Sequence, residues 1–145
     1  MSRAQSIVYR GNQVLMVKHR HQGMEWWCLP GGAIDGEESP QEAVLRELSE
    51  ECCVEGKVVR QTSFVEEPGG EKTYTFLVDI ENQEPRLGFD PEFRNSEQII
   101  TDLRWLKLSE IPERDRAFLW AAGLLSIAGF LEEVESWGES TSYPG

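Results

Sequence analysis

The sequence predicts an α/β fold in which mixed strands are sandwiched between helices. Three observations carry this expectation. Short apolar or alternating runs recur at 6–10, 14–17, 57–66, 73–80 and 99–106, bounded by turn-forming residues. Two other segments, beginning at Ser39 and at Arg114, repeat their apolar residues at helical spacing. A length of 145 residues suits one domain with its own core, so residues 1–145 are read as a single domain.

Taken in order, Ser6 to Arg10 reads as a strand, Gly11-Asn12 as a turn and Val14 to Val17 as a second, deeply buried strand, together resembling a hairpin. Glu25-Trp26-Trp27-Cys28-Leu29 follows, and Pro30-Gly31-Gly32 is read as a loop. A helix then starts with unusual clarity. Ser39 can cap it, Pro40 suits its first position and Glu42 completes a capping box. Val44, Leu48 and Cys52 should face the core, and the helix should end near Cys52 or Cys53. Strands at 57–66 and 73–80 are joined by a Pro68-Gly69-Gly70 turn, and the polar stretch 81–95 is irregular. After the strand at 99–106, one helix is expected over 114–131, with Phe118, Leu119, Ala122, Leu125 and Ala128 or Gly129 on one stripe. The tail 136–145 reads as frayed.

Composition excludes several function classes. No apolar run approaches the ~20 residues that span a bilayer, and no secretory leader is visible. Three cysteines without metal-like spacing suit a reducing compartment, so a cytoplasmic location is expected. A net charge of −12, from 14 Lys+Arg against 26 Asp+Glu, argues against bulk nucleic-acid binding. A small phosphate substrate remains compatible, provided metal ions neutralise both partners locally.

The chemistry concentrates between Gly32 and Val54. In Arg46-Glu47-Leu48-Ser49-Glu50-Glu51, the i,i+3 and i,i+4 steps from Glu47 bring three carboxylates to one side of a helix. Their mutual repulsion becomes affinity when a hard divalent cation supplies the missing charge. The plain alternative, a solvated acidic face, is the usual fate of Glu-rich helices. Against it stand Arg46, able to orient Glu50 one turn on, the Gly-Gly pair upstream and the apolar opposite face.

These residues resemble a known pattern. Gly32, five residues, Glu38, seven residues, then Arg46-Glu47-Leu48-x-Glu50-Glu51-x-Cys53-Val54 is similar to the Nudix box, matching eight of its nine specified positions. The resemblance implies a Nudix fold, a mixed β-sheet between helices, whose box at 32–54 holds magnesium, with manganese as a substitute. Carried over by position, it implies Glu47, Glu50 and Glu51 as metal ligands, with the Gly32 carbonyl. Arg46 and Glu38 would hold the carboxylates in place. A further acid is sought downstream, with Glu97 preferred over Asp90 and Glu92. The departure is Cys53, where the pattern has a Gly suited to a left-handed residue.

The implied activity is MutT-like: magnesium-dependent hydrolysis of the diphosphate linkage in a nucleoside diphosphate derivative. A nucleoside triphosphate or a modified nucleotide is preferred. Glu50, Glu51 and Glu97 are alternative general bases. Trp26 and Trp27 should face opposite ways, so that one can stack on a base while the other packs in the core, a reading weighed evenly against both packing. Lys18, Arg20 and Arg10 are candidate phosphate contacts, each weighed against a plain surface charge, and Phe64 and Phe76 against core packing. His19 and His21 carry no evident role. The rival reading is a catalytically silent Nudix-like module that binds a nucleotide or a protein. Such modules usually lose acids from the Arg-Glu-x-x-Glu-Glu core, and none is missing here. Homodimerisation through the 114–131 helix is compatible with either.

Overall fold

The computed structural model describes residues 2–88 and 99–137. Its strands are β1 (Ser2–Ile7), β2 (Tyr9–Arg10), β3 (Gln13–His21), β4 (Met24–Cys28), β5 (Gly31–Ala33), β6 (Lys57–Glu66), β7 (Lys72–Asp79) and β8 (Ile99–Lys107). The helices are α1 (Pro40–Cys52), α2 (Glu113–Ala121) and α3 (Ala128–Glu135). One sheet runs β5-β1-β7-β6 and is mixed, because β1 and β7 are parallel. In the other, β8 lies along one edge of β3 while β2 and β4 share its opposite edge.

The continuous apolar run Val14 to Val17 explains the layering. Val14 and Met16 join the core beneath α2 and α3, whereas Leu15 and Val17 join the core beneath α1. Period-2 alternation sends successive side chains to opposite faces, and all four are buried only because helices cover both. The two sheets are therefore sandwiched between α1 on one side and the α2–α3 pair on the other. Among the described residues, no helix is long and apolar enough to cross a membrane.

Three expectations change. The first predicted strand is two strands in different sheets: β1 begins at Ser2 and β2 turns back onto β3 around Gly11, with the switch at Val8. Only long-range pairing with β7 decides this, and it leaves no local signature. The predicted Pro30-Gly31-Gly32 loop becomes β5, antiparallel to β1. Glycine is what permits it, since a Cβ on Gly31 would collide with the Ala4 carbonyl oxygen.

The single helix over 114–131 is broken in two. Thr62 and Ser63 of β6 donate their hydroxyls to the carbonyls of Ala122 (2.8 Å) and Ala121 (2.6 Å), closing α2. Gly123 then turns left-handed at φ 88° against the Thr62 carbonyl, and a 3₁₀ turn at Leu124–Ser126 leads to α3. The expected stripe splits accordingly. Leu119 and Ala122 are buried and Leu125 is partly buried, whereas Ala128 and Gly129 are exposed and Phe118 is 72% exposed.

Candidate active site

Helix α1 is placed by its ends. Ser39 Oγ accepts the Glu42 N–H at 3.1 Å and Glu42 Oε1 accepts the Ser39 N–H at 2.9 Å, completing the capping box. At the other end Cys53 adopts φ 58°, ψ 35°, and its N–H reaches the Ser49 carbonyl at 3.0 Å. The helix thus ends in the left-handed conformation that suits glycine, at a cost for cysteine of about 1–2 kcal/mol. The N–H groups of Gly88 (2.8 Å) and Arg86 (3.0 Å) satisfy the last carbonyls, those of Glu51 and Cys52.

With Val44, Leu48 and Cys52 in the core, the acids of α1 face β5 rather than open water. Glu47 and Glu51 are enclosed, at 0% and 1% exposure, while the Glu50 side chain is 28% exposed. Arg46 gathers the group. Its Nε and Nη2 donate to the two oxygens of Glu38 at 2.7 and 3.0 Å, and its Nη1 donates to Glu47 at 3.0 Å and Glu50 at 3.3 Å. Nη2 also reaches the Ala33 carbonyl at 3.0 Å and lies 3.4 Å from Asp35. This forked pattern needs a guanidinium; an ammonium point charge lacks the fixed donor plane. The hydrogen bond from Arg46 holds the Glu38 carboxyl below its ordinary range, and the same bond raises Arg46 above its own. Glu51 is fixed separately, Oε1 accepting the Gly31 N–H at 2.8 Å. A Cβ on Gly32 would lie 2.6 Å from the Glu47 carboxylate, so that glycine leaves the acid its space.

The donor set suits a hard divalent cation: all-oxygen, anionic and clustered at one helix face. Among the described residues, no three His, Cys, Asp or Glu side chains already converge on a single metal position. Magnesium commonly takes only one or two carboxylates beside substrate phosphates and water, so the fit is of chemistry rather than of a finished cage. Glu97, Asp90 and Glu92, the candidates for the additional acid, lie outside the described residues.

A cavity of about 620 Å³ lies between β1, β4, β7 and α2. Its floor is the sheet face carrying Arg3, Gln5, Thr73 and Thr75, one wall is β4, and the other is α2 with Asp115 and Phe118. One short stretch connects the cavity to Glu51: Cys28 and Leu29 line the cavity, and Gly31, two residues on, donates its N–H to the Glu51 carboxylate. Burial, with Glu51 adding to it, pushes the Cys28 thiol up to about 12, and burial likewise raises Cys52, so neither is a ready nucleophile.

Of the residues expected to meet substrate, Trp27 borders the cavity; Lys18, Arg20 and Arg10 do not. Lys18 pairs with Glu25 at 3.2 Å and lies over the Trp27 ring at 5.4 Å. Arg10 is drawn to the 81–84 turn, bonded to Glu84 and to the Glu81 and Gln83 carbonyls, over the Trp105 ring. Arg20 is exposed opposite Glu25. Trp26 also borders the cavity, stacked on His19 at 5.7 Å. Phe76 is core and Phe64 is exposed against Tyr74. Sequence reasoning missed Arg3, Gln5 and Asp115. The first two were legible as polar residues two apart flanking core Ala4. Asp115, 2% exposed, accepts the Trp27 N–H at 3.0 Å and Arg114 Nε at 3.1 Å, a role without local signal.

His19 also proves to matter, being 4% exposed. Burial, reinforced by the charge of Arg3, pushes its imidazole down to about 4. An unfolded histidine titrates near pH 6.5, so between about 6.5 and 4 the unfolded chain holds a proton that the folded one refuses. The His19 contribution to stability is therefore complete above pH ~6.5 and is lost as pH falls toward 4, on the order of 3 kcal/mol. Urea unfolding of wild type and His19→Gln across this range tests it: the variant should show the flatter pH dependence, and parallel curves would refute the assignment.

A family model of the NUDIX domain matches residues 2–126. The chain belongs to the Nudix family. Two mouse proteins, diphosphoinositol polyphosphate phosphohydrolases 3-alpha and 3-beta, are each 34% identical to this Nudix chain over 73 residues. That match spans 49% of this chain and 44% of each relative, less than half their length. Among solved structures, a C. elegans Ap4A hydrolase superposes with a TM-score of 0.66, covering 90% of this chain and 98% of its own at 15% identity. A MutT Nudix hydrolase from Burkholderia pseudomallei gives 0.61, over 83% and 95%, at 23% identity. At such identities the likeness is one of fold, and the Nudix sandwich of mixed sheets between helices is what is shared.

Proposed function

We propose that this Nudix chain hydrolyses the diphosphate linkage of a nucleoside diphosphate derivative, a nucleoside triphosphate or a modified nucleotide, with magnesium or its substitute manganese. The observation that carries the reading is the set of acids on α1 that Arg46 organises, with Glu51 beside them tied through the Gly31 N–H to the strand that continues from the Cys28–Leu29 lining of the 620 Å³ cavity. Phosphates can lie at the acids while the nucleoside enters the cavity.

A divalent cation held by Glu47, Glu50 and Glu51 would neutralise the diphosphate and acidify a water. The chain's own residues do the rest. Arg46 and Glu38 lock the orientation of Glu47 and Glu50, and the Gly31 N–H locks Glu51, so the acids need little reordering when substrate arrives. Glu50 is our choice for accepting the proton from the attacking water, because its carboxylate alone of the three is open to solvent. The cavity wall of β4 and α2 shields the nucleoside end, and the net charge of −12 disfavours longer nucleic acids.

The experiment is product release from a panel of nucleoside triphosphates, oxidised nucleotides, ADP-ribose and dinucleoside polyphosphates, with magnesium and with chelator. Turnover abolished by chelator is expected. Binding without turnover on any member would instead make this a silent nucleotide-binding module.

A further inference from the structure

The polar floor of the cavity is arranged in a way that hydrolysis does not explain. β1 and β7 are paired so that Arg3 lies beside Thr73 and Gln5 beside Thr75. Alternation sends Ala4, between the first two, to the opposite face and the core beneath α1. Gln5 Nε2 donates to Thr75 Oγ1 at 2.9 Å, which fixes that pair to each other. Arg3 is different. It is half-buried, it lines the cavity, and among the described residues it forms no ion pair or side-chain hydrogen bond. The other cation in the lining, Arg114, is committed to Asp115 and to the Glu25 carbonyl at 2.7 Å. Holding a guanidinium half out of water without a partner is costly, and the cost is recovered when a ligand supplies acceptors.

We infer that Arg3 is a specificity-determining residue that reads a 6-oxopurine base, guanine, at its O6 and N7 edge. This rests on the nucleotide reading above and narrows it. A guanidinium has donors only, in a planar fork, and O6 with N7 is the base edge that presents two adjacent acceptors to such a fork. Adenine places an amino donor where O6 would be. An 8-oxoguanine carries a proton on N7, which turns one of the two acceptors into a donor. Both are disfavoured for the same reason, donor facing donor. A phosphate-rich ligand is the other chemistry a guanidinium can take. Several phosphates need several cations, however, and Arg3 is the one uncommitted cation in this lining among the described residues, beside Glu25, Glu67 and Asp115. The rest of the cavity suits a flat, largely apolar body: Trp26 and Trp27 lie in the β4 wall, and Phe118 at the rim is 72% exposed, free to cover a base.

The test is binding rather than turnover, so its outcome is separable from that of the hydrolase reading. Binding of GMP, IMP, AMP, 7-deaza-GMP and 8-oxo-GMP is followed by tryptophan fluorescence and calorimetry, on wild type, Arg3→Lys and Arg3→Gln. All three are first checked for the same melting temperature. Wild type should bind GMP and IMP about 10- to 100-fold more tightly than AMP, 7-deaza-GMP and 8-oxo-GMP. Both variants should lose that preference while binding AMP as wild type does; lysine keeps the charge and lacks the fork. Equal wild-type affinity for GMP and AMP, no GMP binding at all, or a uniform loss across the five ligands in the variants would overturn the inference. The last result would mark Arg3 as a phosphate contact. Selective GMP binding in a protein without hydrolytic activity would leave the inference standing and remove the hydrolase proposal.

Discussion

Glu51→Gln is expected to lower kcat by roughly 10²–10⁴-fold, the range typical when a carboxylate acting on the reacting centre is removed. The substitution is nearly isosteric. Its side-chain carbonyl can still accept the Gly31 N–H that Glu51 Oε1 accepts at 2.8 Å, so the β5–α1 junction should survive. What disappears is one negative charge, 1% exposed, at the helix face where a cation would be held. Steady-state kinetics on whichever member of the substrate panel turns over, with a melting curve beside it, checks this. A kcat within a few-fold of wild type at an unchanged melting temperature would remove Glu51 from the chemistry.

Arg46→Ala should damage both stability and activity. The guanidinium binds Glu38 twice, Glu47 at 3.0 Å, Glu50 at 3.3 Å and the Ala33 carbonyl at 3.0 Å. Removing it leaves Glu47, wholly enclosed, beside two other carboxylates without their cation. Breaking a buried pair from one side costs about 3–5 kcal/mol, equivalent to a drop in melting temperature on the order of 10 °C for a chain this long. Arg46→Lys should recover only part of the loss, since an ammonium cannot serve Glu38 bidentately while reaching Glu47 and Glu50. Added magnesium should narrow the gap to wild type by supplying positive charge to the same acids. Thermal unfolding with and without magnesium reads both effects; an Arg46→Ala protein as stable as wild type would refute the hub.

The start of the box helix was legible to the residue and its end to within one. Ser39, Pro40 and Glu42 set its start through local capping, and the Val44-Leu48-Cys52 spacing set which face is buried. The departure at Cys53 was legible as a question, and the structure answers it with a left-handed cysteine. The substrate side was much less visible. Lys18 and Arg10 are basic enough to be candidate phosphate contacts, but the plainer reading as surface charges fits the structure: each is taken up by neighbours, Glu25 in one case and the 81–84 turn in the other. Arg3 is visible in the sequence only as a polar residue flanking Ala4; its place on the cavity floor follows from the pairing of β1 with both β5 and β7, which makes β1 an interior strand.

What the sequence by itself determined is what depends on neighbours in the chain: the helix caps, the periodicities, the acid spacing at Glu47, Glu50 and Glu51 and, through them, the Nudix family. What only the tertiary structure decided depends on residues far apart. The parallel pairing of β1 with β7 creates the cavity floor, Thr62 and Ser63 end α2, and the Gly31 N–H fixes Glu51 across 20 positions. The physical reason is one of range. Capping and amphipathic spacing act over three or four residues and are written in order along the chain, whereas a strand's partner and a buried acid's donor are chosen by the packing of the whole molecule.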